Sequence, residues 1–156
     1  MDDVRVIRGL CQPYVDQRFL APKPPVAYYE SIHDFTVALA GQELVGCGAL
    51  HAMWEDLGEV RTLAVAQAWL KRGIGGQIVE HLIARARLLG LRRLFCLTFE
   101  VSFFKGHGFE PIESTPVTPE VYSELLQSHD DGVAEFLDLA RVKPNILGNT
   151  RMLLHL

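Results

Sequence analysis

Between Val60 and Gly76 the chain reads V-R-T-L-A-V-A-Q-A-W-L-K-R-G-I-G-G, and this run is where residue types and spacing could do chemistry. A strand-like apolar stretch leads into Lys71-Arg72-Gly73-Ile74-Gly75-Gly76 and then directly into a helical period. Glycines at a helix start remove side chains, so the first N–H groups can close around an anion. The helix dipole and the adjacent Lys71 and Arg72 add positive potential. A pyrophosphate would suit this turn. The spacing is neither G-x-x-x-x-G-K-[ST] nor G-x-G-x-x-G, which disfavours a P-loop nucleotidase and a Rossmann enzyme. On the motif alone, a tight turn packed on a sheet is the commoner reading.

The elements that must position this turn follow from periodicity. Apolar positions at Ile7, Leu10, Cys11 and Tyr14 predict a first helix from Asp3 to about Gln12, which Pro13 should end or kink. The run Ala21-Pro22-Lys23-Pro24-Pro25 reads as a stiff loop. Phe35, Val37 and Leu39 alternate as a strand, and the Gly41-Gln42-Glu43 turn leads to a second strand from Leu44 to about Trp54. After a loop at Glu55 to Gly58, Glu59 to Val65 predicts a third. The helix after the glycines carries Ile74, Ile78, Val79, Leu82, Ile83, Ala86 and Leu89 on one face, and Gly90 stops it. Leu94 to Thr98 is a short buried strand. Strand, helix and strand at this spacing make a βαβ unit, so the two strands should be parallel. A brief helix from Ser102 to His107, a strand near Glu110 to Glu113 and a helix opened by Thr118-Pro119-Glu120 follow. Residues 130–148 are ambiguous, and Arg151 to Leu156 reads as a closing strand.

Two segments carry a family resemblance. Leu70-Lys71-Arg72-Gly73-Ile74-Gly75 resembles the acetyl-CoA loop of the GNAT superfamily, usually [R/Q]-x-x-G-x-[G/A], with Leu70 departing at the first position. Phe103-Phe104-Lys105-Gly106-His107-Gly108-Phe109 resembles the superfamily's F-Y-x-x-x-G-F segment. The resemblance implies a mixed α/β (α+β) fold, its central sheet flanked by helices, as a single domain over residues 1–156. The family's usual first strand has no counterpart, since the chain starts at the first helix. It also implies acetyl-CoA as co-substrate and no metal. Phe104 stands where many members have a tyrosine thought to protonate the leaving thiolate. That leaves either an inactive domain or a branch with another acid or none, since a thiolate of pKa about 8.5 is a tolerable leaving group.

Cys47-Gly48-Ala49-Leu50, Gly58 to Val65, Leu94 to Thr98 and the tail from Val142 to Leu154 are similar to N-acetylglutamate synthases, in their short, kinase-free actinobacterial form. This resemblance implies acetyl transfer from acetyl-CoA to the α-amine of L-glutamate, the opening step of arginine biosynthesis. Glu59 would be the general base, acting through water, although a solvated strand end is the plainer role for it. Ser102 could donate a proton to the thiolate, or merely cap a helix. Backbone groups of Leu63, Ala64 and Val65 would pair with the pantetheine, one N–H holding the oxyanion. Lys71, Arg72, Gly73, Ile74, Gly75 and Gly76 would hold the pyrophosphate, and Phe103 and Phe104 would pack the core and wall the thioester. Glutamate's carboxylates want charge-assisted donors. Arg61 shares a strand face with Glu59 by alternation, and Lys143, Asn149 and Arg151 come from the tail that would fold over the acceptor. Another small amine, a peptide N-terminus, or a non-catalytic CoA-binding module are the competing readings.

Composition sets the outer bounds. The 156 residues are 49% apolar and 22% charged, with a net charge of −4. That suits a soluble globular domain and gives nucleic acid no basic block to bind. The three cysteines are widely spaced, and Cys47 and Cys96 lie in apolar runs as core residues. The six histidines show no metal-ligand spacing. With no apolar run of membrane-spanning length and no signal-peptide pattern, no membrane partner and a cytoplasmic location are expected. A homodimer stays open.

Overall fold

The computed structural model describes residues 3–145 and 148–156. Six strands form one sheet in the order β1-β2-β3-β4-β6-β5. β1 (Phe35–Ala40), β2 (Glu43–Trp54) and β3 (Leu57–Val65) make an antiparallel meander. α3 (Ile74–Leu88) then crosses to β4 (Arg93–Thr98), parallel to β3. β6 (Thr150–His155) runs antiparallel to β4 and carries the two-residue β5 (Glu110–Pro111) on its far edge. This is the mixed α/β architecture that the sequence leads one to expect.

Alternation along the strands assigns the helices to faces. Gly46 and Gly48 of β2 face α3, where a Cβ would come within 2.8 Å and 2.7 Å of the Ile78 side chain. Their bareness lets α3 lie close on the sheet through Ile78, Val79, Leu82 and Ala86. Cys47, between them, faces the other side and packs with Val4, Ile7 and Cys11 of α1 (Asp3–Asp16). On that same second face Phe95, Leu57 and Leu153 meet α5 (Pro119–Leu125) and α6 (Asp131–Phe136). α4 (Val101–Gly106) joins the α3 side through Phe104. All three cysteines are buried free thiols. No helix among the described residues is long and apolar enough to cross a membrane.

Several local expectations give way to tertiary structure. α1 continues through Pro13 to Asp16. The carbonyl that Pro13 leaves without an N–H belongs to Gly9, which is exposed to water along with Pro13, so the loss is tolerated. The run 21–25 is not all loop, because Pro24 caps and Pro25 begins α2 (Pro25–Glu30). A proline at the first helical position needs no N–H partner. Residues 130–148 contain α6, capped by Asp130, and a 3-10 turn over Ala140–Asn145. Ile146 and Leu147 lie outside the described residues.

Arg151 corrects a further expectation. It was expected over an acceptor pocket, but its guanidinium is buried inside the protein. It donates to the Glu113 and Ser114 carbonyls at 3.3 and 3.5 Å, to Thr115 Oγ1 at 3.2 Å and to the Phe136 carbonyl. These bonds tie β6 to the β5–α5 connection and the end of α6. Arg151→Ala should therefore lower unfolding free energy by about 3 kcal/mol in urea titrations, while KM for acetyl-CoA and acceptor stays near wild type.

Candidate active site

The glycine turn ends in an uncapped helix. Lys71 (φ 60) and Gly73 (φ 80) take left-handed backbone, and Gly73 is the N-cap of α3 with no side chain bonded back to it. The first intrahelical bond runs from Gln77 N–H to the Gly73 carbonyl at 3.0 Å. The N–H groups of Ile74, Gly75 and Gly76 are therefore left pointing out of the helix end. A Cβ at Gly75 would meet the Phe103 ring at 3.6 Å and the Val65 side chain at 3.8 Å, both ordinary contacts, and one at Gly76 the His107 ring at 3.5 Å. The protein's own packing thus does not demand glycine at these two positions, and the bare surface fits an approaching phosphate. Arg72 is exposed and lies over the Trp69 ring at 4.8 Å. Phe103 and Phe104 are edge-to-face at 5.2 Å, with Phe103 beside the turn and Phe104 in the core.

β3 has an edge that β4 leaves unpaired. Its paired register with β4 stops at Glu59↔Phe95, although β3 runs on to Val65. A bulge against β2 between Cys47 and Ala49 accompanies the parting, with Thr62 in left-handed backbone at φ 57. Bulges bend and twist the strand that carries them. Ala66 N–H donates to Val45 of β2 at 2.8 Å, so by alternation Ala64 also turns its backbone to β2. Leu63 and Val65 turn theirs the other way. This removes Ala64 from the free edge that was expected to include it. Tyr14 of α1 reaches that edge, its hydroxyl donating to the Val65 carbonyl at 2.5 Å and lying 3.4 Å from its N–H.

Glu59 and Arg61 leave the same face of β3, with Arg61 Nη1 3.4 Å from Glu59 Oε2. Glu59 is only 3% exposed, and its Oε2 accepts no hydrogen bond. Burial pushes its carboxyl above the ordinary range, opposed by the Arg61 charge and reinforced by Asp130. A Cβ at Gly132 would sit 2.1 Å from Glu59 Oε2, so α6 can lie over the carboxyl only because that residue is glycine. Glu135, farther along α6, is pushed up to about 8 by burial and by the Glu59 charge. Arg61 also contacts both Asp130 oxygens at 3.1 and 3.0 Å, and Asp34 at 4.0 Å. His51 bonds Asp34 at 2.9 Å. Lys23, from the proline-rich run, reaches Thr62 Oγ1 at 2.9 Å, and burial lowers its ammonium. Among the described residues no group of three or more His, Cys, Asp or Glu could hold a metal ion.

The acetyltransferase (GNAT) family model matches residues 5–109. The chain belongs to that family. It is 54% identical to an amino-acid acetyltransferase of Mycobacterium tuberculosis, over 97% of this chain and 88% of that protein. The crystal structure of Rv2747 from Mycobacterium tuberculosis, in complex with CoA and NLQ, superposes with a TM-score of 0.92 at 52% identity, covering 99% of this chain and 95% of that one. An N-acetylglutamate synthase from Neisseria gonorrhoeae, complexed with coenzyme A and N-acetyl-glutamate, shares the fold at a TM-score of 0.79 and 22% identity. It covers all of this chain and 33% of its own. As a GNAT protein the chain is an acetyl-CoA-dependent N-acetyltransferase.

The other residues singled out in the sequence are more scattered around this GNAT site. Ser102 is exposed in the first turn of α4, but the N-cap there is Glu100, whose N–H is taken by Thr98 Oγ1 at 2.8 Å. Lys143 is exposed and paired with Asp138, and Asn149 lies half-buried just before β6. Sequence reading missed Lys23, Asp130, Glu135 and Tyr14. The only traces were a lysine set between prolines and an Asp-Asp-Gly ahead of an apolar run. For the glycine turn, Gly75→Glu should raise the acetyl-CoA dissociation constant by at least about tenfold, with an unchanged melting temperature. Calorimetric titration reads it directly, and unchanged affinity would remove the turn from the CoA site.

Proposed function

We propose that this GNAT protein transfers the acetyl group of acetyl-CoA to the α-amine of glutamate, the opening step of arginine biosynthesis. The observation that carries the reading is Glu59: a buried carboxyl of raised proton affinity, beside the open edge of β3, with cations from two other positions around it. An α-ammonium must lose a proton before it can attack. A carboxyl with raised affinity is better matched to that transfer than an ordinary one. The freed amine then adds to the thioester carbonyl, and a β3 N–H holds the oxyanion, at Leu63 or, exchanging its bond to the Tyr14 hydroxyl, at Val65. Collapse breaks the C–S bond, acetylates the amine and releases CoA thiolate. Phe104 has no proton to give and is packed against Phe103 and Phe109 in the core. The second proton, shed by the acetylated nitrogen, goes either to solvent, the thiolate leaving unaided, or to the thiolate by relay through the Ser102 hydroxyl.

The acceptor's carboxylates need cations that are not already neutralised. Arg61 is held by Asp130 and Glu59, Lys143 by Asp138, and Arg151 by carbonyls. Lys23 makes its hydrogen bond to a hydroxyl and not to an acid. It therefore replaces Arg61 as the principal carboxylate partner in this reading. The 54%-identical relative named as an amino-acid acetyltransferase supports the same acceptor class. The acid-rich lining of Asp34, Glu59 and Asp130 around Arg61 favours the competing acceptor, a small amine without carboxylates.

An acceptor panel separates them. Wild-type kcat/KM should favour glutamate over a neutral amine of similar size. Lys23→Met should raise glutamate KM roughly ten- to a hundred-fold, as loss of a charge-assisted bond does, with acetyl-CoA KM unchanged. Preference for the neutral amine in the wild type would replace glutamate with the competing acceptor.

A further inference from the structure

Arg61 has more carboxylates around it than one guanidinium needs. Its Nη1 lies 3.4 Å from Glu59 Oε2 and 3.1 and 3.0 Å from the two Asp130 oxygens. Asp130 is itself fixed at every polar group. Its Oδ1 accepts the Val133 N–H at 3.1 Å, its own N–H donates to Ser128 Oγ at 3.1 Å, and its carbonyl accepts from Ala134 N–H and Arg141 Nη2, each at 3.2 Å. Gly132, two residues on, is the position whose bareness admits Glu59. The start of α6 thus meets the base and its neighbouring cation together.

We propose that Asp130 is a positioning residue for acetyl transfer, holding Arg61 in place beside Glu59, the base. The inference rests on Glu59 being the base. The charged groups facing Glu59 are Arg61 on its own strand, Lys23 from the α1–α2 connection, His51 from β2, and Asp130 and Glu135 from α6. Asp130 shares the guanidinium charge that Glu59 faces and adds a like charge of its own. Both effects raise the proton affinity of Glu59, and loss of Asp130's charge reverses both.

Asp130→Asn tests this, because asparagine caps a helix as well as aspartate does and keeps an oxygen for Val133 N–H. The rising, acid-side limb of the kcat–pH profile, which the base sets, should move down by about one pH unit, as one neighbouring charge is removed. kcat on the plateau should fall by about tenfold as the base weakens, with both KM values within about twofold of wild type. Asp130→Ser, also a cap without the charge, should move the limb equally. A limb that stays in place in both variants overturns the assignment, since a purely structural role would not move it. A change in acceptor KM at constant kcat also overturns it, making Asp130 a competitor or ligand of the acceptor. Glu59→Gln is the reference. If it keeps the limb and kcat, the base reading fails and the positioning role with it; if it loses them while Asp130→Asn keeps them, only the positioning role fails.

Discussion

Neighbouring strands in a sheet satisfy each other's amides, and β3 gives this up toward β4 after Glu59. The proposed function depends on that parting. It leaves Leu63 and Val65 with outward-turned backbone groups that an extended ligand can pair with, as an added strand would. The glycine turn and Glu59 lie in one strand–turn–helix segment, as the proposed function requires of a phosphate site and a base that serve one ligand. The bulge at Thr62, in a backbone region that β-branched residues rarely adopt, is the local strain that goes with it. Tyr14 shows how the free edge is managed, its hydroxyl engaging the Val65 carbonyl.

The second constraint is charge in a dry place. An isolated buried carboxylate costs several kcal/mol, and pairing offsets this only where geometry is good. Glu59 Oε2 has Arg61 Nη1 3.4 Å away yet accepts no hydrogen bond, so its carboxyl is kept uncomfortable. Glu135 compounds this with a proton affinity pushed up to about 8. A carboxyl whose affinity is raised by folding binds its proton more tightly in the native state than in the unfolded chain. Its contribution is therefore most favourable at low pH and is lost as pH rises from the ordinary carboxyl range toward 8. Raised proton affinity useful to a base is, in this sense, held at the expense of stability.

The carboxyl cluster also redistributes the cations. Arginine is the better fork for a carboxylate, and Arg61 lies in the site, yet Asp130 already occupies it. Lys23 remains as a cation bonded to a neutral hydroxyl. Arg151 is spent on joining β6 to loops. Residue type alone ranks these three in the opposite order.

What the sequence determined by itself was whatever a short window can hold. Alternation put Glu59 and Arg61 on one face, and the 3.6-residue period with Gly90 bounded α3. The glycine run marked a helix start without a cap, and Thr118-Pro119 opened α5. These depend on backbone sterics and on patterns a few residues long. Tertiary structure alone decided the rest. Thr62's left-handed backbone has no glycine to announce it. Asp130 and Glu135 reach Glu59 from a six-residue helix and its cap dozens of residues away, with little periodicity to read, and Lys23 from the irregular α1–α2 connection. Whether Arg61 was free or taken depended on Asp130, 69 residues along the chain. A side chain's charge is written at its own position, but its field, its burial and its partner are set by whichever distant segments the fold packs against it.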